Sequence, residues 1–302
     1  MQMASPPSRP PRAIKPVDPI TWRERLDEHG AIHGHHRHLD ARHGALFTED
    51  DDILLVSFEE AGAMRHSTTG LPAALQVAGR EGWSQLCLYS EGDTFFRSDA
   101  VFAYFDALID EGFFDRFDRV VFYGAGPAGY AAAAFSVAAP GATVVLIRPL
   151  ATLEPARSEW DRRYPALRRT DFTRRFGYAP EMLEGAGEAF LIYDPEVALD
   201  ATHASLFALP EENLLRCRRL GPAPERDLEK MGVLLPLLDA AGHGRLDART
   251  FHRLYRKRLE YRPYLHRVLT RLRVEKRLGL GRHWANGVRD QLSTEAKQRA
   301  SS

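Results

Sequence analysis

Cysteine is scarce in this chain: two residues in 302, Cys87 and Cys217. Both lie inside apolar runs, too few and too far apart for a disulfide framework or a CxxC metal site, which fits a reducing cytoplasm. Net charge is missing as well, with 41 Lys and Arg against 41 Asp and Glu. Long hydrophobic runs are absent too. The most apolar stretch, Ala131 to Ile147, is cut by Pro140-Gly141 into helix, turn and strand, so no membrane insertion is expected. Met1 to Pro19 is rich in Pro, Ser and Arg without an apolar centre, and reads as a disordered tail rather than a signal peptide or anchor.

The balanced charge is unevenly placed, because residues 249–302 carry 15 Lys and Arg against four acids. Such a segment can seek nucleic acid or anionic membrane, or dock on the acidic body of its own molecule; the second is expected, with no nucleic acid partner. Six histidines, His29, His33, His35, His36, His38 and His43, crowd one stretch. Adjacent ligands such as His35-His36 lack the spacing of a structural site and no cysteine assists, so they read as surface histidines and no metal is expected.

What is present centres on Arg119-Val-Val-Phe-Tyr-Gly124-Ala-Gly126-Pro-Ala-Gly129-Tyr130 and the alanines 131–134 behind it. A β-branched and aromatic run that stops at clustered glycines and restarts as an Ala-rich segment reads as strand, sharp turn and helix. Two machines use that turn: the dinucleotide fingerprint GxGxxG, and the nucleophile elbow GxSxG. In the first, Gly124, Gly126 and Gly129 would contact a pyrophosphate. Against it, earlier strand-like runs precede the turn, and the next strand ends in Arg148-Pro149 instead of an acid for the ribose. The elbow fits the order of strands near 53, 86, 119, 143, 189 and 213. Residues 45–47 and 53–58 read as an edge hairpin around an acidic turn. The segment 153–187, dense in Arg and aromatics, reads as a helical lid that either contacts an anionic or sugar ligand or is held by ion pairs.

The stretch Tyr123-Gly124-Ala125-Gly126-Pro127-Ala128-Gly129-Tyr130-Ala131-Ala132 resembles the YGSSMGGYAAL elbow of the α/β-hydrolase-like proteins of bacterial accessory secretion and capsular polysaccharide biosynthesis. Tyr193-Asp194-Pro195, with Asp200 and His203 behind it, resembles that family's DP…D…H segment, so the resemblance spans roughly Ile53 to Leu220. It implies an α/β fold: a mostly parallel sheet flanked by helices over residues 20–225, with the lid at about 153–187. A basic helical region follows over 226–302.

The chain departs from the family where chemistry is needed. Gly126 stands at the nucleophile's place, and Leu220 to Glu225 holds no histidine for the base. Gly126, Asp194, Asp200 and His203 are therefore vestigial catalytic candidates, and Ser-type acyl transfer should be absent. The turn residues Gly124, Ala125, Gly126, Pro127, Ala128, Gly129 and Tyr130, with Arg148, are the expected ligand contacts, since backbone amides at a helix N-terminus suit an anion. The expectation is non-covalent binding of an anionic small molecule, glycan or protein partner, without a cofactor, around surface-polysaccharide assembly or export. The rivals are a hydrolase in which His203 with Asp194 or Asp200 activates water, and a dinucleotide-binding oxidoreductase. Such proteins are sometimes labelled phosphoadenosine phosphosulfate reductase, but neither an SGGxDS loop nor a CGxH-like cysteine is present.

Overall fold

The computed structural model describes residues 18–277 and 279–287. Residues 1–17 of the tail expected over 1–19, and the last residues of the basic region, lie outside them, while Asp18 and Pro19 begin the first helix. In chain order come helix α1 (Pro19–His33), strands β1 (Gly34–His38), β2 (His43–Thr48) and β3 (Asp51–Glu60), helices α2 (Ala61–His66) and α3 (Leu75–Glu81), strand β4 (Trp83–Ser90) and helix α4 (Asp99–Asp110). Strand β5 (Arg119–Ala125), helix α5 (Pro127–Phe135), strand β6 (Thr143–Ile147), helix α6 (Pro155–Ser158), strand β7 (Glu188–Tyr193), helix α7 (Ala198–Leu206) and strand β8 (Leu214–Arg216) follow. The chain then runs through helices α8 (Pro224–Lys230), α9 (Leu234–Gly242), α10 (Ala248–Tyr255) and α11 (Arg262–Val274).

The strands form one eight-stranded sheet in the order β1-β2-β4-β3-β5-β6-β7-β8. β1 and β2 run antiparallel, β2 is antiparallel to β4, and every later pairing is parallel. This is the mostly parallel, helix-flanked sheet of an α/β-hydrolase-like fold. Alternate residues serve the two faces. Val120 and Phe122 of β5 and Val144 and Leu146 of β6 face α4 and α5, while Val121, Tyr123, Val145 and Ile147 face α9 to α11. Both faces are buried, so the central strands read as continuous apolar runs. From the C-terminal region, Phe251, Tyr255, Tyr264, Val268 and Leu272 complete the second core. Part of its basic charge is met on its own chain, where Arg267 pairs with buried Asp227 at 2.6 Å.

Two sequence expectations are corrected. Residues 45–47 and 53–58 are not a hairpin: β2 pairs with β1 and β4, and β3 lies between β4 and β5. The reason is packing, because β3 is apolar over its central residues and buries both faces in the middle of the sheet. His35 and His36, expected on the surface, are half-buried in β1, the edge strand, His35 against Phe47 and Tyr104 and His36 under α1 beside Asp27, whereas His38 is exposed as expected. Helix α1 is capped by Asp18, whose carboxylate accepts from the Ile20 and Thr21 N–H groups, and is bolted to the fold by Trp22 Nε1 donating to Gly70 O at 2.7 Å.

Candidate functional site

The turn between β5 and α5 is a sharp elbow at the C-terminal edge of the sheet. Gly126 sits at φ 57°, ψ −122°, a backbone state that costs an L-residue on the order of 1–3 kcal/mol. Gly124 is required by contact: a Cβ there would fall 2.1 Å from the Ala128 carbonyl oxygen. The Arg148 guanidinium lies against the place of a side chain at residue 126, its Nη2 3.3 Å from the position of a Cβ. Arg148 itself holds a positive φ of 41° at the end of β6, and its buried Nε has no hydrogen-bond partner among the described residues.

A hydrolase elbow also supplies an oxyanion hole, from the N–H after the nucleophile and from the loop after the third strand. Here the residue after Gly126 is Pro127, which has no N–H. Directly after β3, in the first turn of α2, the Gly62 and Ala63 amides donate to the capping Glu60 carboxylate at 2.8 and 2.7 Å. The dinucleotide alternative finds no support either. β6 ends at Ile147 and is followed by Arg148 and Pro149, with no acid there for a ribose.

The expected acid and base are engaged elsewhere. His203 is fully buried; its Nδ1 accepts the Ala151 N–H at 3.1 Å, which leaves Nε2–H to donate to Asp161 at 2.9 Å. Burial lowers its pKa, against the pull of Asp161, so the ring is held neutral with both nitrogens occupied. Asp200 pairs with Arg163 at 2.5 Å, and Arg163 also binds Asp161. Asp194 accepts from Gly221 N at 2.7 Å and Glu196 N at 2.9 Å, pinning the loop after β8. The structure therefore corrects the His203-with-Asp194-or-Asp200 pair: these groups anchor the 153–187 segment and a loop. Tyr130 is buried too, accepting from Arg97 and donating to the Phe176 carbonyl. Ser136, in the turn that follows α5, donates to Ala133 O.

The 153–187 segment holds only the short α6 and 3-10 turns among its described elements. Its cations are largely paired within the molecule, Arg163 as above, Arg174 with Asp99, Arg175 with Asp106 and Arg157 with Glu154. Its aromatics pack inward, Phe172 and Tyr164 each edge-on to Phe95. Arg157, Arg163, Arg174 and Arg175 are thus engaged in ion pairs with carboxylates of the same chain.

A cavity of about 570 Å³ opens above the elbow, between β3, β5, the loop after β4 and helices α3, α8 and α9. Ala125, Pro127 and Ala128 of the turn line it, with Phe58, Phe95, Phe96 and Leu238 as apolar wall. Its charged lining is Glu59, Glu60, Asp93, Glu225 and Glu229 against Arg226. Glu59 is pushed up to about 7 by burial, although the Ala73 and Ala74 amides donate to it. Glu225 is raised by burial as well, and accepts from the Tyr123 hydroxyl at 2.6 Å while Arg148 holds its pKa back. Burial likewise keeps the Tyr123 phenol protonated far into the alkaline range.

Glu59, Glu225 and Tyr123 were not singled out from sequence. The one available signal was position: Glu59 near the end of β3, and Glu225 after β8 where the base histidine is expected.

On the far wall, Thr94 joins a second polar array. His43 is 6% exposed; its Nδ1 lies 2.9 Å from both Asp40 oxygens and its Nε2 2.8 Å from Thr94 Oγ1. Burial pushes Asp40 up, but hydrogen bonds from Ser98, the Arg42 amide and His43 outweigh it and hold the carboxyl at about 2. Thr94 Oγ1 also accepts the Phe96 N–H at 3.1 Å, and both Phe95 and Phe96 stand at φ 54°. Sequence reading placed His43 among surface histidines; its partner Thr94 comes from the loop after β4, the strand paired beside it.

No family model matches the chain, and no curated protein matches it. Among solved structures it is similar to a chain of the Glycosylation Associate Protein (Gap123) complex from Streptococcus agalactiae, with 14% identity over 68% of this chain and a TM-score of 0.46. The matched part spans a little under half, 46%, of that chain. It is also similar to a lipase/esterase from Lactobacillus plantarum, with 14% identity, 70% of this chain, 98% of that one and a TM-score of 0.43. For carboxyl esterase 2 from the mycorrhizal fungus Tuber melanosporum the values are 14%, 64%, 80% and 0.40.

Proposed function

We propose that this chain is a catalytically degenerate α/β-hydrolase-like protein that binds a small ligand non-covalently in the cavity above its elbow. One observation carries the reading: at the elbow, where a nucleophile would stand, Gly126 offers no side chain, and the Arg148 guanidinium lies against its place. Pro127 and the Glu60-bound amides support it, since they withdraw the donors that would stabilise an oxyanion.

The cavity is of ligand size and mixes apolar rings with carboxylates. That wall favours a ligand with ammonium or hydroxyl groups, an amino sugar or other glycan, over the anion suggested by the glycine turn alone. The link to surface-polysaccharide assembly or export, and to a protein partner, rests on the resemblance of the two motifs. Calorimetric titration with amino, neutral and acidic sugars tests it. Amino sugars should bind and lose affinity in Glu225→Gln; binding confined to acidic sugars would count against the assignment.

A second reading, an active hydrolase, is favoured by the Asp40–His43–Thr94 array, because an acid, an imidazole and a hydroxyl in hydrogen-bonded series is the arrangement that activates a nucleophile. It requires ester turnover that disappears in Thr94→Ala.

A further inference from the structure

The structure assigns a divalent-metal site of the zinc class to Asp27, His36 and His38, at the edge of the sheet where α1 meets β1. Residues i and i+2 of a strand share a face, so the two histidines of β1 stand side by side, with ring centroids 4.7 Å apart. Helix α1 brings Asp27 to them. Its Oδ1 lies 2.7 Å from His36 Nδ1 and 3.8 Å from His38 Nε2, and one ligand atom from each of the three residues falls within 4.8 Å of the others.

In a tetrahedral zinc site with bonds of about 2.0–2.1 Å, ligand atoms stand roughly 3.3 Å apart. The Asp27 and His38 side chains are 56% and 48% exposed, so rotations about their own bonds suffice to close the set. His36 is the fixed member: its side chain is 1% exposed, and its other nitrogen, Nε2, is 2.8 Å from the Tyr89 hydroxyl. A hydrogen bond on the far nitrogen is what orients a ligating imidazole. The neighbouring histidines have other partners, His29 bonding Thr48 and His43 bonding Asp40 and Thr94.

Two imidazoles and one carboxylate suit zinc over magnesium or calcium, which take oxygen ligands, and three protein ligands leave a position for water. A bound ion would staple α1 onto the edge strand. It does not depend on what the cavity holds.

The test uses the full chain, stripped with chelator and titrated with zinc chloride by calorimetry, with cobalt substitution read by visible absorption. A single saturable equivalent is expected, weakened at least about tenfold in both His38→Ala and Asp27→Asn. Both positions are exposed, and circular dichroism melts check that the variants fold. A His29→Ala/His33→Ala variant should bind as the parent does. Absence of saturable binding, binding unchanged in His38→Ala and Asp27→Asn, or binding lost with His29 and His33 would each overturn the assignment.

Discussion

Replacing Glu59 with Gln removes a buried carboxyl whose folded pKa stands at about 7 against 4.5 for the free side chain. Burial is the main cause, offset in part by the Ala73 and Ala74 amides. Between those values the folded chain holds a proton that the unfolded chain has released, so stability falls as pH rises from about 4.5 to about 7 and is flat outside that window. The difference of about 2.5 units corresponds to roughly 3 kcal/mol, an upper figure because Glu225 titrates in the same cavity. Gln keeps the shape and cannot ionise. Urea unfolding of both proteins from pH 4 to 8 should show the variant gaining on the parent by up to about 3 kcal/mol across the window, above a constant offset of about 1 kcal/mol for one lost hydrogen bond. Parallel pH profiles would refute the reasoning and place the Glu59 carboxyl in contact with bulk water.

Other consequences follow from the same geometry. Gly126→Ser puts a side chain at φ 57° against Arg148, and should cost on the order of 1–3 kcal/mol by denaturant unfolding while creating no esterase activity. His203→Ala leaves the Ala151 N–H unpaired in the interior and takes one donor from Asp161, which keeps Arg163, so a loss of about 1–3 kcal/mol is expected. Because the folded His203 pKa is lowered, its contribution is present above the unfolded value of 6.5 and fades as pH falls below it, so this loss should shrink in acid. Trp22→Phe removes the bond to Gly70 O and should cost about 1 kcal/mol, read as a lower denaturation midpoint.

The elbow and the alternating strands were legible because each is written locally: a β-branched run stopped by Gly124 and Gly126, then alanines whose small side chains let α5 lie close on the sheet. Strand order was not, because β2 skips its neighbour in sequence to pair with β4, and apolar content alone does not say which neighbour a strand takes. The acid and base expected near Asp194, Asp200 and His203 were legible as residues but not as roles. The Asp161 and Arg163 that engage His203 and Asp200 come from the segment between β6 and β7, far off in sequence. Glu59 and Glu225 were hidden for the same reason, since the cavity gathers them from distant parts of the sequence.

Turnover of short acyl esters by the purified full chain, measured beside His203→Ala and Thr94→Ala, bears most directly on the disarmed elbow. The account expects no hydrolysis above the buffer rate in any of the three. Turnover by the parent would contradict it, and the variant that abolishes the activity would show whether His203 or the Asp40–His43–Thr94 array supplies the chemistry.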